Sequence, residues 1–147
     1  MKIIASAAAL TLALAQPVLA QETSSEATTD IEAKSKPLSI SLNALDTTEN
    51  GCKLTFVIDN EMPETVESLK AEVALFDADG VIDRLTMLDF LTLPQGKMRV
   101  RQFELPGAGC DQIGGLLLND IKVCEAGGAD CMAYLQTSSK AGVEFNG

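Results

Sequence analysis

Few side chains in this chain are able to do chemistry, and their types restrict what that chemistry can be. Histidine is absent from all 147 residues, which removes His-dependent catalytic triads, imidazole acid–base catalysis and His-ligated metals. Cysteines stand at positions 52, 110, 124 and 131. None of them forms a C-x-x-C, the spacing of thiol-redox pairs and many zinc sites, so structural disulfides are the expected use. Four cysteines allow three pairings. Between Cys124 and Cys131 lies EAGGAD, whose glycines let the chain return to the short Cα separation a disulfide needs. That predicts the links Cys124–Cys131 and Cys52–Cys110.

Three further groups invite a chemical reading. Asp77, Asp79 and Asp83 lie in DADGVID. An EF-hand loop places oxygen ligands at positions 1, 3 and 5, glycine at 6 and glutamate at 12. Here glycine comes fourth and that glutamate is missing, so Asp-Gly reads as a hairpin tip where glycine supplies positive φ. Thr137, Ser138, Ser139 and Lys140 set hydroxyls beside an amine but without the S-x-x-K spacing of a Ser/Lys nucleophile, and read as a strand end or turn. Arg99 and Arg101 share a strand face, where guanidinium forks could hold an anion or a partner's carboxylate. The competing use is pairing within the chain, with Asp83, Asp89 or Glu104. No catalytic residue, metal-ligand set or cofactor motif emerges, and the chain is expected not to be an enzyme.

The elements that would position these groups follow from patterning. Lys2, an apolar run over 3–14 and Val18-Leu19-Ala20 have the form of a cleavable export signal cut after Ala20. No Arg-Arg pair precedes the run. Residues 21–37 are too polar to bury and read as a flexible leader, leaving 38–147 as a single domain. Removal of the signal leaves 10 basic against 21 acidic residues, a net charge of −11. Such a surface repels nucleic acid and anionic lipid. The expected location is the periplasm or the exterior, and the expected partner a protein of the cell envelope.

From Leu38 the apolar residues alternate. Leu38, Ile40, Leu42 and Ala44 form one strand face, then, after a turn at 48–51, Cys52, Leu54, Phe56 and Ile58 form another. Leu69, Ala71, Val73 and Leu75 point inward from a third strand that ends at the Asp-Gly turn. A fourth run covers 81–90 and a fifth 98–105, in which a bulge near Arg101-Gln102 would be needed to keep Met98, Val100, Phe103 and Leu105 all inside. Residues 110–118 are read as a short helical turn before a strand through Ile121 and Val123, with a last strand within 133–145. About seven short strands predict an immunoglobulin-like antiparallel β-sandwich. In 85–93, LTMLDFLTL, Leu85 and Met87 have one parity and Leu88 and Phe90 the other. Either residues 113–118 cover the second face or it is open to a partner. Leu85, Met87, Leu88, Phe90, Arg99 and Arg101 are therefore the candidate contacts.

FVIDN at 56–60 followed by AEVALFDADG at 71–80 resembles the FxLYD-type bacterial extracytoplasmic β-sandwich domain. DFLTLP at 89–94, VRQFELPG at 100–107, Cys110-Asp111 and the Cys124/Cys131 pair are similar to an uncharacterised bacterial family labelled by a twin-arginine signal sequence. Both resemblances imply an exported all-β domain and neither supplies catalytic residues. The reading that results is a non-enzymatic periplasmic or secreted module that binds a protein partner or supports an envelope assembly. The alternatives are a carboxylate-based metal or small-ligand protein or enzyme, and a structural protein whose disulfides are its purpose.

Overall fold

The computed structural model describes residues 37–147, so the export signal and nearly all of the leader lie outside the described residues. The eight strands are β1 (Leu38–Thr47), β2 (Gly51–Asn60), β3 (Val66–Asp77), β4 (Ile82–Leu93), β5 (Lys97–Pro106), β6 (Ile113–Glu125), β7 (Leu135–Ser139) and β8 (Glu144–Asn146). They form two four-stranded sheets, with order β5-β2-β1-β7 in sheet 1 and β4-β3-β6-β8 in sheet 2. This is an all-β sandwich, as the alternating patterns predict. The chain crosses between sheets after β2, β4, β5, β6 and β7, and β5 lands beside β2 and β6 beside β3 in Greek-key fashion.

Two pairings depart from the antiparallel expectation. β7 runs parallel to β1 and β8 parallel to β6, because the last strand expected in 133–145 is one segment that changes sheets at 140–143 and closes that side of the sandwich. A one-turn helix, α1 (Cys131–Tyr134), precedes it, with the Asp130 carboxylate accepting from the Met132 N–H at 3.0 Å.

The core lies between the sheets. Phe56 is its centre, with Phe90, Phe103 and Phe145 packed edge to face around it at ring-centroid distances of 5.6, 5.9 and 5.4 Å. Leu69, Ala71, Val73 and Leu75 are buried as the alternation predicts. Asn60, the one fully buried polar residue among those described, donates to the carbonyls of Leu93 (2.8 Å) and Glu64 (3.0 Å) and accepts from the Met62 N–H (3.0 Å). It thereby fastens the end of β2 to the following loop and to the end of β4.

Bulges correct the expected parities. In β1 an extra residue at Asn43 puts Leu45 opposite Leu54 and against the core, where Ala44 was expected. β5 needs no bulge. Its register with β2 is continuous from Lys97 to Pro106, so Arg99 and Arg101 share the inner parity with Phe103 and Leu105, while Met98 and Val100 face solvent. The predicted helical turn at 110–118 shrinks to a 3₁₀ turn at Cys110–Gln112. Beyond it Gly114 serves strand approach, since a Cβ there would lie about 2.1 Å from the Asp77 carbonyl oxygen.

Candidate functional site

The disulfides are Cys52–Cys110 and Cys124–Cys131, the predicted pairs, with Cα separations of 5.0 and 6.0 Å. The first ties the start of β2 to the turn before β6, and the second ties the end of β6 to α1. Two disulfides suit an oxidising, extracytoplasmic compartment. No helix among the described residues is long and apolar enough to cross a membrane.

The 85–93 stretch divides between two environments. Leu88 (3% exposed) and Phe90 (0%) are core residues turned toward sheet 1, which removes both from any contact set. Residues 113–118 do not cover them. β4 and β6 flank β3 in the same sheet and do not pair with each other. Leu85 (56% exposed) and Met87 (49%) point the other way, to solvent. A bulge at Phe90 changes the parity so that Leu93 is buried as well, and this sets Leu91 at φ +59° with its side chain outside.

Arg101 accounts for that unusual backbone. Its guanidinium donates to the carbonyls on both sides of Leu91, those of Phe90 (2.8 Å) and Thr92 (3.0 Å), and also to Val100 (3.1 Å). The Leu91 N–H donates to the Asp89 carboxylate (3.0 Å), which Lys70 holds at 3.4 Å. Arg84 reaches back across the sheets to the Pro106 carbonyl (3.0 Å) and pairs with Asp83. Arg99 donates to the Met98 carbonyl (2.9 Å). β4 and β5 are the two edge strands on this side of the sandwich. Five of their carbonyls, those of Phe90, Thr92, Met98, Val100 and Pro106, accept from arginine side chains, which blunts both edges toward pairing with another chain. Of the acidic partners expected from sequence for the arginines, only Asp83 pairs with one, Arg84.

Other sequence candidates are engaged locally. The Asp77 carboxylate accepts from the N–H groups of Asp79 (3.0 Å) and Val81 (2.9 Å), with Gly80 at φ +78° in the turn. The Ser139 hydroxyl accepts from the Ala141 N–H (3.2 Å). A cleft of about 410 Å³ at this end of the sandwich is lined by Asp79, Asp83, Arg84 and Asp111. Among the described residues no three His, Cys, Asp or Glu stand close enough together to hold a metal ion.

Cross-strand register assembles a surface that no single segment shows. On the outer face of sheet 2, Ile82, Phe76 and Gly115 are in line, with Glu144 beyond them on β8. In the next row lie Leu85, Ala74, Leu117 and Asn146, and then Met87, Glu72 and Asp120. The first two rows form an apolar band continued by Val81 and Met87. Ala74 is only 2% exposed although it faces outward, because the larger Leu85 and Leu117 flank it. Phe76, alone of the five phenylalanines, lies on this face rather than between the sheets. The corresponding face of sheet 1 carries Ser39, Ser41, Lys53, Thr55, Asp59 and Gln102 around a smaller apolar group of Val57, Met98 and Val100. Sequence reading located Leu85 and Met87 but missed Phe76, Ala74 and Leu117, which belong to other segments, and Ile82, at the start of β4.

The far end of the band is a closed charge network. Lys122 bridges Asp120 (2.7 Å) and Glu72 (3.9 Å), and Asn119 donates to Glu72 (2.7 Å). The hydrogen bond from Lys122 holds the Asp120 carboxyl below its ordinary pKa, and the same bond raises Lys122. At the β8 side, Phe76, Gly114, Gly115, Leu117, Glu144 and Asn146 enclose a hollow of about 350 Å³ that opens onto the band. Compared with protein-family models, with curated proteins and with solved structures, the chain matches none of them.

Proposed function

We propose that this is an exported, non-catalytic β-sandwich module of the periplasm or exterior that works by binding a protein partner through the outer face of sheet 2. The coarser part of that description, a disulfide-stabilised all-β sandwich, is the structure itself. The observation that carries the rest is the apolar band of Ile82, Phe76, Leu85, Ala74, Leu117 and Met87 on one sheet face, which outnumbers the Val57, Met98 and Val100 group on the outer face of the other sheet. Contiguous apolar patches rimmed by polar residues mark interaction surfaces. Support for a non-catalytic role comes from the absence of histidine and from the turn duties of Asp77 and Ser139.

Site-specific photo-cross-linking tests the reading in intact cells. A photoreactive residue at position 85 is expected to yield a discrete protein adduct, and one at position 53, among the charged residues on the outer face of sheet 1, none. No adduct from position 85, or equal labelling from both positions, overturns it. The carboxylate-lined cleft is the one feature favouring a small-ligand reading, and calorimetric titration with calcium and with zinc tests that separately.

A further inference from the structure

The outer face of sheet 2 combines apolar depth with a rim of net negative charge. Around the band stand Glu72, Asp79, Asp120 and Glu144. The nearby cations are already engaged, Lys122 by Asp120 and Glu72 and Lys70 by Asp89. We infer that the occupant of this face is a cationic extended segment of another protein, with apolar residues alternating with lysine or arginine. The inference rests on the binding-module reading above and adds the chemistry of the partner.

Charge complementarity selects that occupant. A second copy of the exported chain carries the same net charge of −11 (10 basic against 21 acidic residues), and apposing two such faces would set carboxylate against carboxylate. An anionic bilayer is repelled for the same reason. A cationic segment has its apolar side chains received by Phe76, Leu85 and Leu117. One of its long side chains enters the hollow beside Gly115, laying its stem on Phe76 and its charged head at Glu144. The hollow is open at its floor: a Cβ on Gly115 would meet nothing nearer than the Glu144 carbonyl oxygen at 3.7 Å. The floor therefore admits a Cβ, and Gly115→Val adds bulk at that point of the hollow.

The probes are three synthetic peptides, acetyl-KFKLKFK-amide and its counterparts with glutamine or with glutamate in place of every lysine, titrated into the labelled protein by NMR. The expected result is that the lysine peptide alone shifts the amides of Phe76, Gly115 and Leu117, and that its affinity falls as salt is raised. Glu144→Lys should weaken it about five-fold and Gly115→Val about ten-fold, each with an otherwise unchanged spectrum. Equal binding of the glutamine peptide overturns the cationic assignment while leaving the binding-module reading in place. So does a concentration-dependent dimer in sedimentation that Leu85→Asp abolishes, or binding to phosphatidylglycerol vesicles. If no peptide shifts these amides the inference fails, and whether the broader reading fails with it is decided by cross-linking at position 85.

Discussion

Replacing Arg101 by methionine separates its use inside the fold from its use as an anion or partner site. The wild-type guanidinium makes three hydrogen bonds to main-chain carbonyls, at 2.8, 3.0 and 3.1 Å. The bond to Phe90 is partly buried, and those to Thr92 and Val100 are exposed. A bond from a charged donor contributes about 1.5 kcal/mol when shielded, and about 0.5 kcal/mol is a fair discount for each exposed one. Methionine keeps most of the apolar stem, so little packing is lost. The expected loss is about 2–2.5 kcal/mol, part of it reflecting the left-handed Leu91, whose conformation alone costs about 1–2 kcal/mol. With a urea m-value of about 1.5 kcal/mol/M, the unfolding midpoint should fall by roughly 1.5 M. Arg101→Lys should recover less than half of this, because an ammonium cannot fork across Phe90 and Thr92. A midpoint within about 0.2 M of wild type would refute the clamp. In that case a stabilisation by sulfate present in wild type and absent from the methionine variant would return Arg101 to the anion-binding reading.

Four further outcomes are expected. Leu88→Asp buries a carboxylate in the core and should destabilise by several kcal/mol, whereas Met87→Asp, one residue away but outside, should leave the melting temperature nearly unchanged; paired thermal melts check this, and equal effects would mean that β4 is turned over. Asn60→Ala orphans the buried Leu93 carbonyl and Met62 N–H and should cost about 3 kcal/mol in urea unfolding. Opening Cys52–Cys110, which spans 58 residues, should destabilise by about 4 kcal/mol, against about 2.4 kcal/mol for Cys124–Cys131, which spans 7; alanine pairs at each link, compared by chemical denaturation, test the ranking. Because Asp120 titrates lower in the folded state, its contribution to stability is complete above the ordinary carboxylate pKa and is lost as pH falls through the lowered value. In an NMR titration Lys122→Met should move the Asp120 midpoint upward, and an unmoved midpoint would contradict the hydrogen bond.

What could be read from the residues in order was whatever repeats locally. Period-two alternation in 52–58 and 69–75 identifies strands and their buried faces directly, because side chains on a strand alternate by geometry alone. The short glycine-bearing loop between Cys124 and Cys131 likewise constrains pairing without reference to the rest of the fold, and the second disulfide follows by elimination. Bulges were not legible. A single extra residue in β1 or β4 inverts every later parity, and whether it forms depends on what the partner strand offers, as Arg101 does for Leu91. The change of sheets within the last segment was hidden too, since it is set by the free edges of β1 and β6 rather than by residues 135–146. The candidate surface shows the same division. Leu85 and Met87 declare themselves on one strand, but Phe76, Ala74, Leu117 and Glu144 become their neighbours only when β3, β4, β6 and β8 settle into register. A binding face on a sheet runs across the strands, and the order of the chain runs along them.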